Sequence, residues 1–285
     1  MKIIPIIAQS ALNKLNKRGL PYQYDLNLYR GCVHNCAYCY ARKSYKYIKK
    51  EENFANTIHY KTNIVEKLEH EFKRNDYSKE IINIGGVCDS YQYIERDLKL
   101  MPDILNLFIK HKVPCIISTK SDLILRDIEL IDKLAHYTYV NIAFSITSNN
   151  EAVSKIVEPY AAMPKNRINA ITEISKTKAS TGFHFFPILP YLSDSDDCLE
   201  YMVKSASESK ATYMMCALLY LTGSGRVNYM KMIEEKYPNL LQKYLSLYKK
   251  GSANKEYKTI IHNKLKKLRT KYNVSSNYKP NLNII

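Results

Sequence analysis

The chain has 285 residues, 46% of them hydrophobic, and its 43 Lys and Arg outweigh 27 Asp and Glu for a net charge of +16. That length suits one large domain or a barrel with an appendage. No apolar run reaches the roughly 18 residues that a membrane span needs, so none is expected.

Residues 1–8 are too short and too weakly charged for a secretory signal, and the cysteine count of seven is odd. Both argue against a disulfide framework and for a reduced, cytoplasmic setting. The charge is uneven, because residues 223–285 hold 14 Lys and Arg against three Glu. A polyanionic partner would suit that segment. Codon bias of an AT-rich genome would equally produce a chain so rich in Lys, Asn, Ile and Tyr.

Residues 8–20 are basic and broken by Gly19 and Pro21, and read as a surface lead-in. Residues 24–28 alternate polar and apolar and predict the first strand. A loop follows in which Cys32, Cys36 and Cys39 stand at C-x3-C-x2-C with Tyr38 just before the third. Gly31 permits a tight turn beside the first cysteine. Three thiolates hold three irons of a 4Fe–4S cluster, which normally takes four protein ligands. The remaining iron is open, and an open position separates catalytic from structural metal sites. A Cys3His zinc site using His34 is formally possible, but His34 is crowded between two of the cysteines.

Helical periodicity at Ile64, Val65, Leu68 and Phe72 predicts a helix near 61–74. A second strand over 80–84 runs into Gly85-Gly86-Val87-Cys88-Asp89. A helix near 98–110 and a strand over 114–119 follow. Ser121 is a plausible cap for the next helix. A fourth strand covers 139–145, a helix lies near 165–179, and a fifth strand covers 182–187. A helix near 196–209 precedes the sixth strand, over 211–218. Residues 225–272 read as helices without strands, with Ile260, Ile261, Leu265 and Leu268 on one face of the last. The final dozen residues have no periodicity.

Strict alternation implies parallel strands with right-handed crossovers. Six units are too few to close an eight-stranded barrel. The expected fold is therefore α/β, a partial (β/α)6 TIM-type barrel over 1–222 with a basic helical extension over 223–285. In parallel barrels active residues gather at the C-terminal strand ends. There lie the three cysteines, Gly85 and Gly86, Lys120, and Ser145. Read alone, Gly-Gly is a turn and Lys120 an exposed charge.

The C-x3-C-x-aromatic-C pattern resembles the signature of the radical S-adenosylmethionine superfamily. The longer string Asn27-Leu28-Tyr29-Arg30-Gly31-Cys32 through Cys39-Tyr40-Ala41-Arg42 resembles its spore photoproduct lyase-like branch, also described as DNA repair photolyase-like. The likeness runs over about residues 8–222. It implies a partial barrel and a 4Fe–4S cluster on Cys32, Cys36 and Cys39. The same likeness implies S-adenosylmethionine cleaved reductively to a 5′-deoxyadenosyl radical that abstracts hydrogen from substrate. A low-potential electron donor such as flavodoxin or ferredoxin is the implied partner.

The resemblance also places the cofactor's methionyl amino group at Gly85 and Gly86, its carboxylate at Lys120 and its ribose at Ser145. Glu158-Pro159 followed by Arg167 matches a further branch pattern; Arg167 would bind a carboxylate or pair with Glu158. Tyr38 and Tyr40 match tyrosines that lie beside the cofactor and return hydrogen to it. Aligned on Asp89, the lyase's hydrogen-donor cysteine falls on Gly86. Cys88 stands two residues on, where the lyase has a serine near the cofactor. Strand residues two apart share a face, so Cys88 is a candidate donor or a small cofactor-side residue.

Nucleic acid is the expected substrate. Modification of a peptide or protein is the alternative, and a non-catalytic iron–sulfur DNA-binding or redox-sensing protein is a third reading. Cys115, Cys198 and Cys216 are scattered, so no second cluster is expected. His184 alternates with Phe183 and Phe185 and is predicted to face the barrel interior or sit as a satisfied core histidine.

Overall fold

The computed structural model describes residues 1–15, 19–42, 54–278 and 280. In chain order the first elements are β1 (Lys2–Ile6), β2 (Leu12–Lys14), β3 (Tyr24–Leu26), β4 (Tyr29–Arg30) and β5 (Thr57–Lys61). Then come α1 (Ile64–Arg74), β6 (Ile82–Ile84), α2 (Glu95–Leu98), α3 (Leu100–His111), β7 (Cys115–Thr119) and α4 (Ile128–Ala135). β8 (Val140–Ser145), α5 (Glu151–Val157), α6 (Pro164–Ile174), β9 (Ser180–Ile188), α7 (Asp196–Glu208) and β10 (Tyr213–Leu218) complete the alternation. The chain closes on α8 (Gly223–Lys236), α9 (Leu241–Leu247) and α10 (Lys255–Lys271).

One sheet has the order β10-β9-β8-β7-β6-β3-β2. Its six strands β3 and β6 to β10 are parallel, and β2 is an antiparallel edge on β3. These six are the predicted strands, so the partial (β/α)6 barrel is the fold observed. Such strands are covered on both faces and read as apolar runs. Ile82, Ile84, Ile117, Ile142, Phe144, Phe183, Phe185 and Met214 are all buried in one core. The register aligns the strand ends, with Leu26 opposite Ile84, Ile84 opposite Ile117, and Ser145 opposite His184.

Three local features differ from expectation. A second sheet, β1-β5-β4, joins the N-terminus to residues 57–61, and β2 lies within the supposed lead-in. The helix expected near 98–110 is split by Lys99 in the left-handed region, with φ of 50°. The Glu95 carboxylate then caps α3 by accepting from Leu100 N and Met101 N at 3.2 and 2.9 Å. The helix expected to 179 ends at Ile174, where the Ser175 and Thr177 hydroxyls turn back onto carbonyls of the last turn. Ser121 does cap, its Oγ accepting from Leu123 N at 3.2 Å.

The C-terminal helices share both large hydrophobic clusters with the barrel. Ile261 and Leu265 of α10 enter the main core, and α10 packs along α7. Ile260, predicted on the same face, is instead 47% exposed. Tyr229, Tyr244 and Tyr248 form a second cluster with Ala37, Val157 and Leu219. No helix among the described residues is long and apolar enough to cross a membrane.

Candidate active site

A cavity of about 650 Å³ opens at the C-terminal ends of the parallel strands. Of the residues proposed from sequence for the cluster, the cofactor and hydrogen transfer, all but Arg167 line it. The cysteine loop forms one side. Gly31 holds φ of 87°, and a Cβ there would sit 2.7 and 2.8 Å from the Thr57 and Phe54 carbonyls. Only glycine passes at that point. Cys32 N donates to Phe54 O at 3.0 Å and Ala37 N to Val157 O at 2.8 Å, tying the loop to two separate elements.

Cys32, Cys36 and Cys39 are free thiols. Burial pushes Cys36 up to about 12, and burial with the nearby Asp89 carboxylate pushes Cys32 well above its ordinary value. Thiols so placed are neutral unless a metal takes them, which is the chemistry of a cluster ligand. His34 Nδ1 lies 3.4 Å from Asp89 Oδ2, so that ring nitrogen is engaged by the carboxylate. Cys32, Cys36 and Cys39 all line the cavity, and three such thiols suit a 4Fe–4S cluster with one iron open to a small ligand.

The opposite edge of that site is the turn after β6. Gly85 holds φ of 85°, and a Cβ would meet Cys88 O at 2.8 Å. A Cβ on Gly86 would clash with the Asp25 carboxylate. Bare backbone thus borders the cavity, as a close-binding ligand requires. Asp25 is itself held by Asn83 Nδ2 at 2.6 Å and Asn27 Nδ2 at 3.0 Å, and Asn27 Oδ1 accepts from Val87 N at 3.1 Å. Asn27 spends its side chain on this turn, and β3 ends just before it, at Leu26. The cavity-facing Cys88 thiol donates to Tyr29 O at 3.2 Å, and burial pushes it up to about 12.

Asp89 is the hub between the loops. Its carboxylate accepts from Thr119 Oγ1 at 2.8 Å, Lys120 N at 2.7 Å and Tyr91 N at 2.9 Å. Gln92 reaches the cysteine loop, accepting from Val33 N at 2.9 Å. Lys120 Nζ lies 5.8 Å from the Tyr38 ring centre. Burial opposes its charge, but Cys36 and Glu158 outweigh that and raise its pKa.

Arg167 is fully buried behind this wall. Its guanidinium pairs with Glu158 at 2.7 Å and donates to Ala162 O and Ser145 O, each at 2.7 Å. Tyr38 donates to the same Glu158, and Tyr40 donates to Gly86 O. Of the two roles weighed for Arg167, the geometry realises the pair with Glu158. The guanidinium positions Ser145 and Tyr38 and does not face the cavity.

The far wall was not legible as a site. Tyr22, Phe186, Tyr213, Tyr220 and Tyr278 contribute aromatic side chains from four separate segments. His184 faces inward as alternation predicts. Its Nε2 lies 3.1 Å from Tyr213 OH, and its ring stacks on Phe186 at 4.5 Å. Asn141 Nδ2 donates to the same hydroxyl at 3.0 Å. Among sequence signals, the aromatic-rich ends of β9 and β10 were the only pointer to this wall, and abundant Tyr elsewhere hid it.

The Radical SAM superfamily profile matches residues 26–202. An uncharacterised protein of Mycobacterium tuberculosis is 30% identical over 279 residues, covering 96% of this chain and 82% of that protein. An uncharacterised protein of Methanocaldococcus jannaschii is 28% identical over 270 residues, 94% of each chain. Among solved structures, spore photoproduct lyase complexed with dinucleoside spore photoproduct matches with a TM-score of 0.69 at 14% identity, over 95% of this chain and 79% of that one. A mutant of that lyase with bound AdoMet and the same dinucleoside gives 0.68 at 13% identity, over the same shares.

Proposed function

The chain belongs to the radical SAM superfamily and is an enzyme that uses a 4Fe–4S cluster with S-adenosylmethionine; from that premise we propose that its substrate is a nucleic acid, entered base-first into the aromatic-walled cavity. When bound, the two cofactors supply reductive cleavage of a sulfonium carbon–sulfur bond and, from it, hydrogen-atom abstraction. Cys32, Cys36 and Cys39 hold the cluster. Gly85 and Gly86 lend main-chain polar groups to the methionyl amino end, Lys120 its positive charge to the carboxylate, and Ser145 a hydroxyl to the ribose. Arg167 and Glu158 hold Tyr38 and Ser145 in place. The electron comes from an external low-potential donor of the flavodoxin or ferredoxin kind.

The observation that carries the substrate reading is the far wall. Five aromatic side chains line the cavity together with the cysteines, and Asp89, the one carboxylate lining it among the described residues, is fully engaged. Flat aromatic walls without free acid suit a planar base attached to phosphates. That a similarly folded lyase binds a dinucleoside supports the reading by analogy of fold alone.

Hydrogen return to the product would differ from the lyase's. The space a side chain at Gly86 would need is filled by Asp25. Cys88 and Tyr40, both lining the cavity beside Gly86, are the groups with a transferable S–H or O–H hydrogen.

The test is 5′-deoxyadenosine formation by anaerobically reconstituted protein and dithionite, with and without nucleic acid, including DNA bearing the spore photoproduct. Formation that rises with nucleic acid is the expected result. Formation indifferent to every nucleic acid but raised by a peptide would sink the substrate reading.

A further inference from the structure

A second groove, of about 480 Å³, runs between α10 and the end of β10. Its α10 wall includes Lys255, Lys258, His262 and Arg269. Their spacing of three, four and seven residues puts them on one helical face. The opposite wall is residues 216–220, and Ala217, Leu218, Leu219 and Tyr220 also line the catalytic cavity. Groove and cavity therefore share a rim.

The charges in this groove are unspent. No Asp or Glu lines it. Elsewhere on α10, Lys264 pairs with Asp196 at 2.7 Å and Lys271 with Glu200 at 2.5 Å, both on α7. Among the described residues no carboxylate pairs with Lys255, Lys258 or Arg269. Arg269 Nε is buried without a hydrogen-bond partner, which is costly for a charged donor and points to an absent acceptor. Tyr220, on the shared rim, is 65% exposed.

We infer that this groove is the track for the sugar–phosphate backbone of a single-stranded nucleic acid flanking the base in the cavity. Lys255, Lys258 and Arg269 take phosphates, and Tyr220 stacks on the neighbouring base. A single strand suits the groove because its base reaches a buried site without the cost of unpairing a duplex. From Lys255 to Arg269 the helix rises about 21 Å, enough for several nucleotides. The inference rests on the nucleic-acid reading above and assigns its backbone contacts. It also excludes most of the basic C-terminal segment, including the exposed Lys266 and Lys267, from those contacts.

The test is anisotropy of a short fluorescein-labelled single-stranded oligonucleotide on the full, cluster-loaded protein across a salt series. Lys255→Gln with Lys258→Gln is compared with Lys266→Gln with Lys267→Gln, an equal loss of charge outside the groove. The groove pair is expected to weaken binding roughly tenfold and to flatten the salt slope by about 1.4, as two lost phosphate contacts require. The control pair should stay within about twofold, as for charges that meet no phosphate. Tyr220→Ala should cost roughly tenfold with an unchanged slope. Circular dichroism confirms that α10 is intact in each variant.

Equal weakening by both pairs overturns the groove assignment and leaves the substrate reading standing. Wild-type protein that binds no oligonucleotide, yet makes more 5′-deoxyadenosine when nucleic acid is added, also overturns the groove alone. Failure of both binding and stimulation removes the two together.

Discussion

The two walls of the cavity are built by different physics. On the cysteine side nearly every turn is fixed by a directional bond from a distant side chain. Asp89 joins the turn after β6 to that after β7. Gln92 bonds the cysteine loop, Asn27 the glycine turn through Val87 N, Asp25 the Asn83 and Asn27 side chains beside it, and the Arg167–Glu158 pair the Tyr38 hydroxyl. On the β9–β10 side ring contacts predominate, as His184 with Phe186 and Tyr213 with Tyr278, and the hydrogen bonds meet at the Tyr213 hydroxyl, from Asn141 and His184. A cofactor must be held within a fraction of an ångström for its chemistry, and directional bonds do that. Ring surfaces tolerate exchange of one apolar residue for another. In the function proposed above, the first wall serves the cofactor chemistry and the second sets the substrate.

The contrast is broken most severely at the cysteines. Cys36→Ala should leave the fold standing, since one small buried thiol is lost, but abolish both iron retention and 5′-deoxyadenosine formation. Iron analysis after reconstitution checks this, and a variant with wild-type iron would refute the ligand assignment. Next in size is Glu158→Gln, which strands the fully buried Arg167 charge. Stability to urea should fall by about 3–5 kcal/mol. A drop below 1 kcal/mol would mean that the pair is not the brace described.

Gly86→Cys probes the same wall by overfilling it. The Asp25 carboxylate stands where the new Cβ must go, so a loss of about 1–3 kcal/mol is expected. Removing the carboxylate with Asp25→Ala should make the double variant less unstable than the sum by at least about 0.5 kcal/mol. Strict additivity would show that the two positions do not touch.

His184 tests the far wall through pH. Burial first, and Lys120 second, push its pKa down to about 3. Below the ordinary value near 6.5 the unfolded chain takes up a proton that the folded chain refuses. Stability should therefore fall as pH drops, by about 2 kcal/mol between pH 7 and pH 5 from this residue alone. The loss runs on toward pH 3 and ends once the folded histidine charges. His184→Gln should remove that share of the slope, and a slope unchanged by the substitution would place a charged histidine in the folded cavity. The smallest effect is expected from Phe186→Leu, within about 1.5 kcal/mol in stability. Calorimetry should find S-adenosylmethionine affinity unchanged while substrate-stimulated turnover falls. Lost cofactor affinity would erase the division between the walls.

The six parallel strands were legible because each is a short alternating or apolar stretch between turn signals, and the cysteine loop because its cysteines are neighbours in sequence. Gly31 and Ser121 announced their roles by residue type. The β1-β5-β4 sheet gave no such signal, because it pairs Lys2 with Thr57 across more than fifty residues. Nothing local marks Asp25 as the residue that fills the space beside Gly86. The pair of Arg167 with Glu158 was one of two roles legible in the sequence, but the full burial of Arg167 and its bonds to Ala162 O and Ser145 O were not, since those acceptors lie elsewhere along the chain.

The sequence by itself thus determined the fold class and the cofactor chemistry, and it pointed to Cys32, Cys36 and Cys39 as cluster ligands, all from composition, period and short spacing. Tertiary structure alone decided what faces those ligands. The aromatic wall and the Asp89 hub gather residues from separate segments of the chain, and the cationic groove sets one face of α10 against the end of β10. Their meeting depends on the register and closure of the barrel, set by the packing of the whole core.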